Sequence, residues 1–337
     1  MRGKYWLIAS IIAVAILLGA AYGIYLQFYG NAVGERREVY VSTRTDYAGL
    51  LDSLRPHVAH RWAFDRYAER IDLPDFYKPG HYVLEPGMSV IQVVRMLKLG
   101  LQTPVRLTLG TARTRAYLSA KLARQLDADS ASFMRALTDP ALARKVGTDS
   151  LQLFSIFIPN TYEVYWTVSP EELVRRMRCE YDRFWTAERD AARARSGLSR
   201  DQVMTLASIV CEETAKADEM PRVAGVYINR LRKGMLLQAD PTVKYALQDF
   251  GLRRILHKHL KTQSPYNTYI NKGLPPSPIA MPSVAAIDGV LGFEEHDYLF
   301  FCARPTFDGY HNFAATYREH QANARAYVAE LNRRKIK

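Results

Sequence analysis

Leu198-Ser199-Arg200-Asp201-Gln202-Val203-Met204-Thr205-Leu206-Ala207-Ser208-Ile209-Val210-Cys211-Glu212-Glu213 begins as a helix should. Ser199 is placed to cap the first turn, Gln202 three residues on closes a capping box, and Leu198 can staple to Val203. The start fixes the phase of everything after it. At about 100° per residue, Val203, Leu206, Ile209, Val210 and Ala217 fall on one stripe, Glu213 projects from its middle, and Glu212 points about 100° away. A carboxyl on an apolar stripe is costly to bury as an anion, so its surroundings should raise its pKa and keep a proton on it near neutrality. That is the state a general acid needs. The competing reading is a structural carboxylate paired with a buried arginine, and Arg222 or Arg230 on the next helix could serve.

Downstream, Pro221 to Gly234 reads as a helix with Pro near its start and Gly at its end, turning Val223, Val226, Tyr227 and Leu231 inward. Asn229 and Arg230 sit where one turn can face the first helix. The polar run Leu237-Gln238-Ala239-Asp240-Pro241-Thr242-Val243-Lys244-Tyr245 reads as a loop pinned by Asp-Pro, with Gln238, Asp240 and Thr242 as donors and acceptors or simply as turn formers. A long proline-rich loop follows, through Ser264-Pro265-Tyr266-Asn267-Thr268-Tyr269 and Gly273-Leu274-Pro275-Pro276 to Pro282. Its tyrosines argue against disorder.

Upstream, Ser169-Pro170-Glu171-Glu172 opens another helix, and the segment from Phe157 to Trp166 reads as an aromatic loop and strand filling a core or stacking on sugar. Residues 106–150 read as a helical connection. Before them, residues 30–105 form a small α/β module: a strand at Val39-Tyr40-Val41, a turn entering a strand over 78–84, then a helix over 89–99 with Val90, Val93, Val94 and Leu97 on one face, stopped by Gly100. The expected fold is therefore α+β, with a larger mixed catalytic domain over 151–337.

Residues 5–34 carry no charge, and 5–29 are long and apolar enough to cross a bilayer once. Arg2 and Lys4 precede them, so residues 1–4 should stay in the cytoplasm and the rest be exported; a signal peptide cleaved near Gly19-Ala20-Ala21 is the rival. Cys179, Cys211 and Cys302 cannot all pair and read as buried free thiols. The formal charge of +12 would suit phosphate, but an exported chain meets anionic lipid or wall polymer, so no nucleic-acid partner is expected. His257, His259, His296, His311 and His320 lack metal-ligand spacing, so neither metal nor cofactor is expected. The basic run from Arg253 to Lys261 reads as a solvated face or an anion contact.

These motifs together resemble the YceG-like or MltG family of endolytic murein transglycosylases. The resemblance rests on Leu206 to Thr214, Val226-Tyr227-Ile228-Asn229-Arg230-Leu231, Leu237 to Val243, Ser264 to Tyr269 with Gly273 to Pro276, and Gly309-Tyr310-His311-Asn312-Phe313. The 78–100 segment is similar to the family's LysM-like subdomain. Departures are Cys211 where a glutamate is common, Asn160 where Asp is common and Ser277 where Gly is common.

The resemblance implies a lyase that cleaves the MurNAc-GlcNAc bond within nascent glycan strands, leaves 1,6-anhydroMurNAc ends and ends strand elongation. It implies Glu213 as catalytic acid, with Asn229, Arg230, Gln238, Asp240, Thr242, Tyr266, Asn267, Thr268 and His311 as substrate-binding positions. It also implies an inner-membrane protein with a periplasmic catalytic domain, acting on peptidoglycan strands beside peptidoglycan synthases. One carboxyl suffices when the C6 hydroxyl of the substrate is the nucleophile, whereas hydrolysis generally needs two. Two rivals stay open: a lysozyme-type hydrolase using Glu213 and Asp240, and a non-catalytic scaffold in which Glu213 completes a core ion pair.

Overall fold

A computed structural model describes residues 2–252 and 254–334, so Arg253 of the basic run lies outside the described residues. Two compact units share the chain. The first comprises the chain up to Leu107 with Gln125–Ala128 and Glu163–Val168, and the second takes Thr108–Arg124, Asp129–Tyr162 and the chain from Ser169 on.

In the first unit, α1 (Arg2–Tyr29) leads into β1 (Arg37–Val41), α2 (Tyr47–Leu54), α3 (Arg61–Arg70), α4 (Leu73–Phe76), β2 (Gly80–Leu84) and α5 (Val90–Leu99). Lys4–Tyr29 is long and apolar enough to cross a membrane, with mean hydropathy 2.5. The helix does not end in a free linker: the Ala32 and Val33 N–H groups donate to the Met88 carbonyl, and the Phe28 and Trp62 rings meet edge to face at 5.7 Å. β1 and β2 pair antiparallel, with Val39 opposite Tyr82. Ser89 and Gln92 form the capping box of α5, Gly100 ends it at φ +69°, and Val90, Val93, Val94 and Leu97 are buried as their spacing requires.

From Thr108 the second unit takes the end of β3 (Val105–Leu109), α6 (Arg115–Ala123), α7 (Ser130–Thr138), α8 (Pro140–Lys145), a 3-10 turn over Gln152–Ile156 and the start of β4 (Asn160–Val164). It continues with α9 (Pro170–Phe184), α10 (Ala187–Ser196), α11 (Arg200–Glu213), α12 (Met220–Arg232), α13 (Asp240–Leu247), α14 (His257–Leu260) and α15 (Val284–Leu291), then β5 (Phe300–Ala303), β6 (His311–Ala314) and α16 (Tyr317–Arg333). β3 pairs with β4, and β5 with β6 in antiparallel register. The chain is thus α+β. α11 lies at the centre, packed on α12, α13 and α15, and every residue from Val203 to Val210 is buried. The expected segment 106–150 holds most of β3 and three helices, α6 to α8, rather than helix alone, and the three helices belong to this unit.

Three local expectations need correcting. α11 stops at Glu213, where the Thr214 N–H closes on the Val210 carbonyl, so exposed Ala217 is not on its stripe and Glu213 sits at the helix end, not mid-face. The 237–245 run is a loop only to Ala239; Asp240 and Pro241 begin α13, because Pro in a first turn needs no N–H and already has a helical φ. The cysteines are free but none is buried: Cys179 is exposed, and Cys211 and Cys302 are half-buried.

Candidate active site

The capping box read from Ser199 and Gln202 is present and sets the phase of α11. Glu213 therefore emerges on the side of α12. There the Tyr227 hydroxyl donates to its Oε1 at 2.7 Å. Glu213 lines an open cavity of about 300 Å³ together with Tyr227, Arg230, Gln238, Asp240 and Tyr269, walled by Leu237, Phe300, Phe301, Tyr317 and His320. Part of its surface faces the cavity, while protein crowds the carboxyl elsewhere. That desolvation raises its pKa to about 7, and the charge of Asp240 adds to the rise; the Tyr227 hydrogen bond and the cations Lys244 and Arg230 oppose it. Near neutral pH the group can both give and take a proton.

Tyr227 is itself buried, and burial followed by the Glu213 charge raises its pKa well above the usual phenol value, so it remains a donor. Its height on α12 is fixed by close packing at Gly225. A Cβ there would stand 2.4 Å from the Glu294 carbonyl oxygen and 2.6 Å from His296 Nε2, so only glycine admits this approach.

No ion pair to Glu213 is formed among the described residues. Arg222 pairs with Glu294 at 2.7 Å. Arg230, 8% exposed, donates from Nε to the Leu299 carbonyl at 2.6 Å and from Nη1 to the Leu237 carbonyl at 2.8 Å. It ties β5 to the loop before α13 and lies over the Phe300 ring at 5.2 Å. Burial lowers its pKa from the ordinary guanidinium value. These contacts leave the charge of Arg230 in the cavity wall without committing it to a carboxylate.

The remaining expected positions divide into two groups. Gln238 and Asp240 line the cavity; Gln238 has a left-handed backbone at φ +50°, and Asp240 Oδ1 accepts from the Tyr269 hydroxyl at 2.6 Å. Behind them, Thr242 and Thr268 are buried with their hydroxyls 2.9 Å apart, and Thr268 receives the Gln238 and Ala239 N–H groups, which holds the cavity rim. Asn267 is fully buried and staples its own loop by donating to the Leu260 and Thr262 carbonyls, both at 2.9 Å. Tyr266 shares a hydrogen bond with Ser277 at 2.6 Å. Asn229 donates to the His296 carbonyl at 2.6 Å and the Tyr298 carbonyl at 3.1 Å, and His311 holds buried Glu219 through Nδ1 at 2.8 Å. Neither Asn229 nor His311 is among the cavity-lining residues.

Tyr227, Tyr269, Phe300, Phe301, Tyr317 and His320 were not singled out for the site by sequence reasoning. Tyr227 carried a signal in its inward phase on α12, opposite the helix of Glu213, but its hydroxyl read as core. His320 stacks on Phe300 at 5.3 Å, its Nδ1 is buried without a partner, and burial followed by the charge of Arg230 lowers its pKa. It lies about 100 residues from Glu213 in sequence, beyond any local pattern. Among the described residues no group of three or more His, Cys, Asp or Glu could hold a metal ion.

The chain is similar to proteins of known name. An endolytic murein transglycosylase of Bacillus subtilis is 38% identical over 135 residues, which is 40% of this chain and 37% of that protein. One of Streptococcus pneumoniae is 26% identical over 325 residues, 87% of this chain and 57% of that protein. The chain thus spans between a third and three fifths of the length of these curated relatives. A crystal structure of a Listeria monocytogenes protein described as YceG-like superposes with a TM-score of 0.57 at 26% identity, covering 86% of this chain and 99% of that one. Residues 39–326, from β1 into α16 and including every residue of the Glu213 cavity, match the YceG-like family, and the chain belongs to that family.

Proposed function

We propose that the chain is an endolytic peptidoglycan lytic transglycosylase with Glu213 as its acid and base. The observation that carries this reading is the Glu213 carboxyl in the cavity, hydrogen-bonded to Tyr227 and without an ion pair among the described residues, whose pKa desolvation raises to about 7. Protonated Glu213 gives its proton to the glycosidic oxygen as the MurNAc-GlcNAc bond breaks. The resulting carboxylate, stabilised by the Tyr227 hydroxyl and the charges of Arg230 and Lys244, then takes the proton of the MurNAc C6 hydroxyl as that oxygen closes on C1. The product end is 1,6-anhydroMurNAc, and no water is consumed. Gln238, Asp240 and Tyr269 are placed to orient the sugars, while Thr242, Asn267 and Thr268 hold the rim that positions them.

The absence of an ion pair on Glu213 speaks against the scaffold reading. The hydrolase reading has one observation in its favour, since Asp240 lines the same cavity. Digestion of glycan strands in ¹⁸O-labelled water separates the two: unlabelled anhydro ends are expected, and label at the new MurNAc terminus would make Asp240 the second carboxylate of a hydrolase.

The same proposal extends to location. Residues 5–29 anchor the chain in the inner membrane, residues 1–4 remain cytoplasmic, residues 30–105 form a LysM-like module, and the catalytic region acts in the periplasm on strands delivered by peptidoglycan synthases. The support is the apolar helix with Arg2 and Lys4 on its leading side.

A further inference from the structure

A second cavity in the same unit, about 500 Å³, opens beside the last turn of α11 and is lined by Thr111, Ala112, Arg113, Thr114, Tyr117, Phe250 and Glu212. Glu212 is the residue before the proposed acid, so the two cavities lie on different sides of one helix end, with Cα atoms about 3.8 Å apart at their nearest walls. Arg113 Nε donates to both carboxylate oxygens of Glu212, at 3.1 Å and 3.0 Å. Among the described residues its two terminal nitrogens have no hydrogen-bond partner, its guanidinium stands 6.0 Å from the Phe250 ring, and 54% of its side chain is exposed. Tyr117 leaves 52% of its surface exposed and, among the described residues, stacks on no other ring.

The frame behind these groups is fixed before any ligand arrives. The Ala112 carbonyl accepts from Met281 N–H at 2.7 Å, Thr114 caps α6 through the Tyr117 N–H at 3.0 Å, and Arg115 reaches the Ser150 carbonyl at 2.7 Å. A roomy cavity thus presents a cation with unused donors, an anion beside it and two aromatic faces, all on anchored backbone. An isolated surface ion pair contributes little to stability. As a recognition element the pair selects a ligand carrying a carboxylate and an ammonium group a few ångströms apart, with the planar fork of Arg113 suited to the carboxylate.

Resting on the transglycosylase reading, we propose that this cavity binds the stem peptide of a muramyl residue near the scissile bond, its carboxylate on the Arg113 terminal nitrogens and its diamino-acid ammonium on Glu212. The short peptides of the wall polymer carry both groups on one chain. A MurNAc without its peptide offers only the lactyl carboxylate and no ammonium for Glu212. The cavity would therefore make the enzyme prefer strands that still bear peptides.

The test titrates the full-length protein with a muramyl peptide that ends in a diamino acid, and with MurNAc alone. Wild type should bind the muramyl peptide at least tenfold more tightly than MurNAc, and Arg113→Ala should remove most of that preference. The doubly exchanged variant Arg113→Glu with Glu212→Arg keeps an ion pair and its fold but reverses the polarity, so it should also lose the preference. A merely structural pair predicts recovery in the exchange, and that recovery overturns the proposal, as does equal binding of the two ligands by wild type. Cleavage of peptide-bearing strands by wild type is measured alongside. Its failure would count against the transglycosylase reading and leave the binding result to be judged separately.

Discussion

The phenol of Tyr227 reaches across from α12 to donate to Glu213 Oε1 at 2.7 Å, while the charge of Asp240 reaches the same carboxyl from the start of α13. The two neighbours act on Glu213 in opposite senses, because a donated hydrogen bond favours the carboxylate and a nearby negative charge disfavours it.

Tyr227→Phe and Asp240→Asn should therefore move the alkaline limb of the pH-rate profile in opposite directions. Without the phenol the Glu213 pKa rises further above about 7; without Asp240 it falls. Tyr227→Phe should also slow cleavage about tenfold, matching ~1–1.5 kcal/mol for a lost hydrogen bond. Profiles that shift together, or do not shift, would show that these contacts do not tune the acid.

Asp240→Asn carries a second expectation. It should weaken catalysis by ~1–3 kcal/mol of transition-state stabilisation and still leave anhydro ends, since the Tyr269 hydroxyl can donate to an amide oxygen. Mass spectrometry of the digest reads the end group, and a variant that releases no product at all would argue for an obligatory second carboxylate.

Glu213→Gln should cut activity by ~10²–10⁴-fold or more and stabilise the fold at alkaline pH. The folded pKa is raised from 4.5 to about 7, so the stability contributed by this group is fully present below 4.5 and lost as pH rises to about 7. Glutamine has no such loss. The variant's advantage should grow from pH 4.5 to 7 and level off at no more than ~3.5 kcal/mol, at ~1.4 kcal/mol per pKa unit. Denaturant melts at pH 5 and pH 8 measure it; an advantage that is the same at both would contradict the raised pKa.

Arg230→Lys should lower stability by ~1–3 kcal/mol although the charge is kept, because an ammonium cannot bond the Leu299 and Leu237 carbonyls from two fixed directions. A melting midpoint equal to wild type would remove the strut assigned to this side chain.

Full-length protein should fractionate with membranes and keep its N-terminus, with residues after Glu35 cleaved only by protease added outside spheroplasts. A mature N-terminus near Tyr22 in the soluble fraction would instead identify a cleaved signal.

Short-range rules read well where each residue has one role. Ser199 with Gln202, Ser89 with Gln92 and Ser169 with Glu172 all form the capping boxes their spacing allows, and Val39 to Val41 is a strand. Reading stopped where one residue type serves two ends. Asp-Pro at 240–241 suits a turn or a first helical turn, and only the hydrogen bond from Tyr269 and the packing of Val243 favour the second. The side of α11 from which Glu213 projects was legible from the phase its capping box sets, but its place at the helix end was not. Tyr227 was not legible, because a buried tyrosine is ordinary until its hydroxyl has a partner, and that partner comes from another helix. Phe300 and His320 reach the cavity through the β5 and α16 segments, a placement no local periodicity encodes.

α11 ends on Glu213. The aligned peptide units of a helix leave about half a negative charge at its carboxyl terminus, and an anionic side chain in the last turn is repelled by it. The backbone itself therefore helps hold the proton on Glu213, independently of any neighbouring side chain. Moving the same glutamate one turn earlier would keep it on the same face yet free it from that field, so the length of the helix, as much as the choice of residue, tunes the acid.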